Sequence, residues 1–338
     1  MAMRRRRDAE IQLELGGALA PPLAREHGVG RREVERVAGR LREPLDALLG
    51  SAPPSGFLAV LKRPAVLREV QEAARRWRRR GVDDVIHVGI GGSALGAETV
   101  LRALAHPFHN AIPRRRRGGP RVHFLDNVDP DTLGALLEHV DLRRSLVHVV
   151  SKSGGTVETA AGFQALREAL GRGRRGVDWR RRCVFTTGRG ALRTLAEEQG
   201  VETLAFPEDV GGRFSVLTAS GLFTPALAGV DVGALVEGAR RMRRRLARED
   251  VARTPAAVAA AVSWLLAEER GKPVHVLMPS ADALEPLARW WVQLVGESLG
   301  KRREATAGGD ATCVGPTPLP ARGTTDQHSQ VQLFVDGP

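Results

Sequence analysis

The fold is decided by the stretch Val147-His148-Val149-Val150-Ser151-Lys152-Ser153-Gly154-Gly155-Thr156-Val157-Glu158-Thr159. Its pattern predicts a β-branched strand that breaks into a turn of glycines and hydroxyls and opens directly into a helix. Free N–H groups and the positive end of the helix dipole favour an anion at such a helix start. Ser151, Ser153 and Thr156 add hydroxyl donors, so a phosphate monoester fits this turn. The alternative is a hydroxyl cap at an ordinary strand-to-helix turn.

The surrounding sequence alternates short apolar strands with helices. Strands are predicted at residues 85–90, 122–125, 146–150, 184–186 and 203–206. The helices predicted between them span residues 95–105, 131–140, 156–170 and 191–199. This α/β alternation is typical of a parallel sheet that helices cover on both faces.

The two ends of the chain follow different patterns. Residues 1–80 are predicted to form a helical N-terminal segment, and residues 81–230 a first α/β domain. Residues 231–338 are predicted as a second, incomplete α/β domain with long helices and a strand at 274–278. Within it, residues 308–322 are rich in Gly, Pro and Thr and are predicted to be mostly irregular. Residues 331–338 are interpreted as part of a second sheet.

Composition excludes several classes of protein. The 51 basic and 39 acidic residues give the 338-residue chain a net charge of +12. The arginines are scattered, and only 9 Phe and 5 Trp with no Tyr are available for base stacking, so no nucleic-acid partner is predicted. The longest weakly polar run, at 255–267, is too short to span a bilayer. Acidic residues follow the basic N-terminus where a signal peptide needs an apolar stretch, so a cytoplasmic location is expected.

A second strand, glycine turn and helix occupies residues 85–96 and contains Gly92 and Ser93. Its glycines satisfy the loosest form of the dinucleotide fingerprint, so an NAD-linked dehydrogenase is one interpretation. That fingerprint also needs an acidic residue about 20 positions later, and Asp126 lies well beyond that distance. Two glycine turns at the carboxyl ends of neighbouring parallel strands predict one crevice, where open α/β sheets bind ligands.

Two further segments carry candidate chemistry. Arg213 follows two glycines, so its guanidinium can point into a cleft and stabilise negative charge on a reacting oxygen. The alternative is a solvated arginine at a helix start. Gln293 and Glu297 lie four residues apart on one helix beside an apolar strip, which makes Glu297 a candidate general base. The alternative is a structural glutamate paired with Lys301.

Near the end of the chain, His328 follows a glycine turn among polar residues that could orient its ring. Histidine can move a proton near neutral pH. The other histidines inside strands, among them His87 and His148, are predicted to be core residues. Neither cysteine has metal-ligand spacing, and the sequence predicts no metal site.

With these segments in order, the chain resembles the glucose-6-phosphate isomerase (phosphoglucose isomerase) family. The resemblance covers about residues 85–338 and rests on the blocks GIGGSALG, SKSGGTVET, VGGRFS, QLVGESLGK and GTTDQHSQVQ. It implies two sugar-isomerase (SIS) domains of flavodoxin-like, three-layer type. It also implies reversible isomerisation of D-glucose 6-phosphate to D-fructose 6-phosphate through a cis-enediol(ate), in glycolysis and gluconeogenesis, with no cofactor.

The resemblance also assigns roles to residues. It implies phosphate binding by the side chains that open the helix: Ser151, Lys152, Ser153, Thr156 and Thr159. Gly92 and Ser93 would line the sugar site, and Gln293 would orient the substrate. Glu297 would be the base, Arg213 would stabilise the enediolate, and His328 would open the sugar ring. Because family members supply that histidine from the neighbouring subunit, a homodimer with shared active sites is implied.

One departure from the family pattern concerns the C-terminus. Family members continue further and contribute a lysine from a C-terminal helix, whereas the last lysine here is Lys301. The chain is therefore interpreted as a truncated member, with weak substrate binding and slow or absent turnover expected. The alternative function is a non-catalytic, sugar-phosphate-binding regulatory protein of the same fold.

Overall fold

A computed structural model describes residues 11–50, 56–171, 176–303 and 312–337. Its α-helices are α1 (Arg31–Arg40), α2 (Arg42–Gly50), α3 (Gly56–Ala59), α4 (Pro64–Arg79), α5 (Leu95–Leu104), α6 (Arg114–Arg117), α7 (Pro130–His139), α8 (Val157–Gly171), α9 (Ala191–Gln199), α10 (Ala219–Leu227), α11 (Val232–Arg248), α12 (Pro255–Trp264), α13 (Glu285–Leu299) and α14 (Val331–Asp336). Its strands are β1 (Asp84–Val88), β2 (Arg121–Leu125), β3 (Ser145–Ser151), β4 (Cys183–Thr187), β5 (Glu202–Ala205), β6 (Val274–Leu277), β7 (Lys301–Arg303), β8 (Thr312–Val314) and β9 (Thr317–Pro320).

The first five strands form one parallel sheet in the order β2-β1-β3-β4-β5. This is the flavodoxin-like order, which confirms the predicted α/β fold class. The order reverses between β1 and β3, and a ligand crevice forms at such a point, outside the carboxyl ends of the strands. The fold therefore places the two glycine turns that follow β1 and β3 side by side.

Helices cover both faces of this sheet because alternate strand residues point to opposite sides. On one face, α4 and α10 pack their buried side chains, Trp77 and Phe223 among them, against residues such as Leu146. On the other face, Phe163 of α8 packs against Phe185 of β4. All seven residues of β3 are buried, so neither face of this strand is exposed to solvent.

The predicted helical N-terminal segment is confirmed. Helix α1 buries Val34, Val37 and Ala38, and these side chains pack against Ala261 and Leu265 from the α12 region. Helix α12 continues at its C-terminal end into a π-helical turn, Leu265–Glu269.

The prediction that residues 308–322 are mostly irregular is wrong for the part that the structure describes. Strand β9 pairs in parallel with β6 although it contains Pro318 and Pro320. The N–H groups of Thr317 and Ala321, on either side, donate to Pro273 and Leu277 of the β6 segment. Because strand N–H groups alternate in direction, the two prolines fall where a donor to β6 is not needed. Residues 304–311 lie outside the described ranges.

The interpretation of residues 331–338 as sheet is also wrong, because α14 occupies Val331–Asp336. The main-chain N–H of Gly337 donates to the carbonyl of Leu333 at 3.0 Å and closes its last turn. Within the described ranges, none of the helices combines the length and the apolar character needed to cross a membrane.

Candidate active site

A cleft of about 540 Å³ lies where β1 and β3 end, with α13 along one side. Its walls come from segments that are far apart in the sequence. The lining residues are Ile90, Gly92, Ser93, Lys152, Ser153, Thr156, Gly188, Arg189, Glu208, Gly212, Arg213, Gln293 and Glu297. The cleft thus brings together most of the site residues predicted from the sequence.

The turn after β3 divides its side chains between the cleft and the interior. Ser153 and Thr156 line the cleft, whereas Ser151 is buried. The Ser151 hydroxyl accepts a hydrogen bond from the Gly154 N–H at 3.1 Å and lies 3.1 Å from the Thr156 hydroxyl. Gly154 adopts a φ of +67°, which glycine tolerates without strain. Ser151 therefore stabilises the turn from its buried side. The hydroxyls of Ser153 and Thr156 lie on the open side of the turn, next to the start of α8.

Thr159 lies three residues after Thr156, in the first turn of α8, but does not line the cleft. Its side chain is buried inside the first turns of α8, and its hydroxyl has no hydrogen-bond partner in the part of the chain that the structure describes. The structure therefore places Thr159 behind the turn, and not at its open side.

The turn after β1 forms a short 3₁₀ helix, Gly91–Ser93, in close contact with the Arg213 segment. A Cβ at Gly92 would lie only 2.4 Å from the carbonyl carbon of Gly212, so this position has no room for a side chain. The Ser215 hydroxyl also donates to the Gly92 carbonyl at 3.1 Å. These contacts hold the Arg213 backbone against the first glycine turn.

Arg213 and Glu297 form an ion pair in the cleft, with Nη1 of Arg213 3.2 Å from Oε2 of Glu297. The Gln293 amide donates to the other carboxylate oxygen of Glu297 at 2.9 Å, and Nε of Arg213 donates to the Ser298 hydroxyl at 2.8 Å. Arg213 is thus anchored, and the alternative of a solvated arginine is wrong. Nζ of Lys301 donates to the main-chain carbonyl of Glu297 at 2.7 Å, so the lysine does not neutralise the carboxylate as the structural alternative required.

Lys152 crosses the cleft wall from the turn after β3. Its ammonium donates to the main-chain carbonyls of Glu208 at 3.0 Å and Val210 at 2.8 Å. Carbonyl oxygens do not cancel its charge, so Lys152 contributes positive potential beside Ser153 and Thr156. An anion would be stabilised beside Lys152, in a cleft that the Glu297 carboxylate also lines.

Comparisons with known proteins identify the family. The family model described as phosphoglucose isomerase matches residues 53–338. The chain belongs to the phosphoglucose isomerase family. A glucose-6-phosphate isomerase of Rubrobacter xylanophilus is 44% identical over 315 residues, which cover 93% of this chain and 69% of that protein. One of Carboxydothermus hydrogenoformans is 42% identical over 80% of this chain, which spans only 58% of that relative's length.

Solved structures share the fold of this chain. A hypothetical protein of Thermus thermophilus has 38% identity and a TM-score of 0.75, covering 91% of this chain and 69% of that one. A glucose-6-phosphate isomerase of Chlamydia trachomatis has the same TM-score at 22% identity, covering 91% of this chain and 64% of that one, and supports the fold alone. Membership in the phosphoglucose isomerase family favours the sugar-phosphate interpretation of the Gly91–Ser93 turn over the dinucleotide interpretation.

Three further residues that line the cleft were not predicted from the sequence: Gly188, Arg189 and Glu208. The Arg189 guanidinium pairs with the Glu208 carboxylate at 2.5 Å. The signal was present in the sequence, because Thr187-Gly188-Arg189-Gly190 repeats the pattern of a strand followed by a glycine turn and a helix. Ser298, which anchors Arg213, carried no sequence signal beyond its place beside Glu297.

His328 is not brought to this cleft. It lies on the 3₁₀ helix Thr325–His328, and its side chain is exposed. Nearby, Asp326 accepts a hydrogen bond from the Arg322 N–H at 2.6 Å and one from the Ser329 hydroxyl at 3.0 Å, which fixes the turn that carries His328. In the described residues, no group of three or more His, Cys, Asp or Glu side chains is placed to hold a metal ion.

Proposed function

We propose that the protein is a glucose-6-phosphate isomerase, which reversibly converts D-glucose 6-phosphate to D-fructose 6-phosphate in glycolysis and gluconeogenesis. The observation that carries this proposal is that the hydroxyl turn at the start of α8 and the Arg213–Glu297 pair line one cleft. Family membership supports the same reaction.

The substrate phosphate binds at the turn of Ser151, Lys152, Ser153, Thr156 and Thr159. Ser153 and Thr156 supply hydroxyls to the phosphate, and the Lys152 ammonium supplies positive charge. Ser151 and Thr159 act from beneath, since both are buried. Gripping a group remote from the reacting carbons orients the sugar toward Glu297.

Glu297 removes the proton on the carbon next to the carbonyl and returns it to the neighbouring carbon. The electron pair of the broken C–H bond forms a C1=C2 double bond, and the carbonyl π electrons move to the oxygen, which gives a cis-enediol(ate) whose negative charge Arg213 stabilises. The remaining hydroxyl proton passes from one enediol oxygen to the other, so that returning the proton to the neighbouring carbon leaves the new carbonyl. The Gln293 amide, which bonds the Glu297 carboxylate, orients the carboxylate and the substrate. Gly92 and Ser93 line the sugar end of the cleft.

The sugar ring is opened by His328 of a neighbouring subunit, so the protein works as a homodimer with shared active sites. Its exposure on a turn held by Asp326 leaves it available to a second copy. We further propose a cytoplasmic location, and a division into the helical segment 1–80 and sugar-isomerase domains at 81–230 and 231–338.

The reaction is tested by incubating the protein with fructose 6-phosphate in heavy water. We expect slow formation of glucose 6-phosphate that carries deuterium at C2, because the base exchanges its proton with solvent before returning it. Fructose without phosphate is the control and should gain little label. Binding of fructose 6-phosphate with neither conversion nor label would instead indicate a non-catalytic sugar-phosphate-binding protein.

A further inference from the structure

Two buried histidines lie directly beneath the cleft. His87 of β1 and His148 of β3 are register partners on neighbouring strands, both with 0% exposure. Their ring centroids are 4.9 Å apart, and the rings meet edge to face. Thr224 of α10, also fully buried, lies 2.9 Å from Nδ1 of both rings. One hydroxyl therefore joins two imidazoles in the interior.

This cluster continues to the active site in one direction. Nε2 of His87 lies 2.8 Å from the main-chain carbonyl of Ser93, which lines the cleft. In the other direction, Nε2 of His148 lies 2.8 Å from the hydroxyl of Thr186. Among the described residues, each of the four ring nitrogens thus has one hydrogen-bond partner.

Both rings are neutral, because burial penalises their charged forms. Burial lowers the pKa of His87 to about 4, although the hydrogen bond to Ser93 opposes this shift. Burial, with a smaller contribution from His87, lowers the pKa of His148 well below its ordinary value. A neutral imidazole has one N–H donor and one bare nitrogen acceptor.

The direction of every hydrogen bond then follows from the Ser93 carbonyl, which can only accept. His87 donates from Nε2, so its Nδ1 is bare and accepts the Thr224 hydroxyl proton. That hydroxyl has no second proton, so Nδ1 of His148 donates to it. Nε2 of His148 is bare in turn and accepts the proton of the Thr186 hydroxyl. The cluster therefore adopts one ordered set of tautomers.

We propose that His87, locked into its tautomer by Thr224 and His148, is a positioning residue that holds the Gly91–Ser93 turn in its sugar-facing conformation. The effect on catalysis rests on the proposed function, whereas the tautomers and the position of the turn do not. The chain of bonds ends on a carbonyl, which has no proton to pass on, so the cluster does not relay protons. It acts by geometry.

The same turn is held at a second point, which makes its position well determined. The Ser215 hydroxyl donates to the Gly92 carbonyl, so both consecutive carbonyls point to partners beneath the cleft. Gly92 and Ser93 therefore line the cleft while their carbonyls are bonded elsewhere. A displacement of about 1 Å in such a turn is enough to lower catalysis by up to about a hundredfold.

The tautomers are tested first, in the unmodified protein, by long-range nitrogen–proton NMR of the histidine rings. We expect His87 protonated at Nε2 only and His148 protonated at Nδ1 only. The opposite tautomer at either ring, or a charged ring at neutral pH, would overturn the proposal. This measurement does not depend on isomerase activity.

The effect on the turn is tested with Thr224→Val, with Thr254→Val as its matched control. Thr254 is also a fully buried threonine, and its hydroxyl donates to the Val251 carbonyl at 3.0 Å, away from the cleft. We expect Thr224→Val to lower kcat/KM for fructose 6-phosphate about tenfold and to shift the Ser93 amide resonance. The control should retain kcat/KM within about twofold and leave that resonance in place.

Inorganic phosphate separates local positioning from general unfolding, because it probes the turn after β3 and not the turn after β1. We expect its Kd in Thr224→Val to stay within about twofold of the unmodified protein's. Equal losses of phosphate binding and turnover, or a Ser93 resonance that does not move, would contradict the proposal. If the unmodified protein proves inactive, the proposed function fails, while the tautomers and the Ser93 resonance still decide the positioning role.

Discussion

The guanidinium of Arg213 lies 3.2 Å from the carboxylate of Glu297, although 84 residues separate them in the sequence. The Arg213 segment is held against the first glycine turn, and Glu297 lies on α13. Their ion pair therefore connects α13 to the segment that packs on the first glycine turn. It also places a cation within reach of the group proposed as the base.

Replacing Glu297 by Gln tests the base directly. The amide keeps the size of the side chain and cannot take a proton, so we expect proton exchange at C2 to fall by about a hundred- to ten-thousandfold. Fructose 6-phosphate binding, measured by calorimetry, should persist. Glu285→Gln at the start of the same helix is the control and should retain exchange. Exchange at the normal rate in Glu297→Gln would remove this residue from the base role.

Ser153→Ala and Thr156→Val test the phosphate site. Each removes one hydroxyl that lines the cleft, and a hydrogen bond to a charged group contributes about 1.5 kcal/mol or more. We therefore expect substrate Kd to rise about tenfold, while kcat changes less. Calorimetric Kd and steady-state kcat, measured on both variants, check this difference. A fall in kcat with unchanged binding would show that these hydroxyls serve the chemical step instead.

Gly92→Ala tests the close contact between the two backbone segments. Its Cβ would lie 2.4 Å from the Gly212 carbonyl carbon, and main chain cannot move aside cheaply. We expect the free energy of unfolding to fall by about 1–3 kcal/mol. We also expect kcat to fall, because the first glycine turn lines the cleft.

The matched control for that substitution is Gly134→Ala, inside α7, where nothing lies within 4 Å of the added carbon. It should raise the unfolding free energy by about 0.5–1 kcal/mol, because alanine favours helix. Urea unfolding measures both variants. Equal stability of Gly92→Ala and the unmodified protein would contradict the contact.

Asp84 predicts how stability depends on pH. Burial by itself would raise the pKa of this carboxyl, but hydrogen bonds from His123 and Arg121 outweigh burial and lower the pKa to about 2. A carboxyl with a depressed pKa stabilises the folded state above its unfolded pKa, and this contribution is lost as pH falls through the folded pKa. The lowered pKa of Asp84 corresponds to about 2 kcal/mol of unfolding free energy at neutral pH.

Asp84→Asn removes this contribution. The difference in unfolding free energy between the unmodified protein and the variant should be largest above about pH 5 and should shrink by about 2 kcal/mol toward pH 2. Urea unfolding at a series of pH values measures it. A difference that stays constant over this range would show that the Asp84 pKa is not depressed.

The sheet was predictable because its signals are local. Each predicted strand of the first sheet overlaps the observed one, since short apolar runs that end at turn-forming residues and alternate with helical segments are typical of parallel strands. The two turns were also correctly assigned to one crevice, because parallel neighbouring strands end at the same edge. Gly188 and Arg189 follow the same rule, because β4 is the parallel neighbour of β3 and ends at the same edge of the sheet.

Strand β9 could not be predicted in this way. Its Gly-, Pro- and Thr-rich surroundings are typical of irregular chain. Only the pairing with β6 shows that the nitrogens of Pro318 and Pro320 point away from that strand. The histidines of β1 and β3 illustrate the same limit. Their burial was predicted from the strands, but the shared Thr224 comes from a helix that follows much later in the chain.

The sequence by itself determined the alternation of strands and helices, the two glycine turns and the chemistry of their side chains, because these depend on preferences of neighbouring residues. Only the tertiary structure decided that Glu297 contacts Arg213, that Ser151 and Thr159 are buried behind the turn that follows β3, and that His87 contacts the Ser93 carbonyl. Those contacts join segments whose approach is set by packing on the two faces of the sheet, and packing is a property of the whole chain.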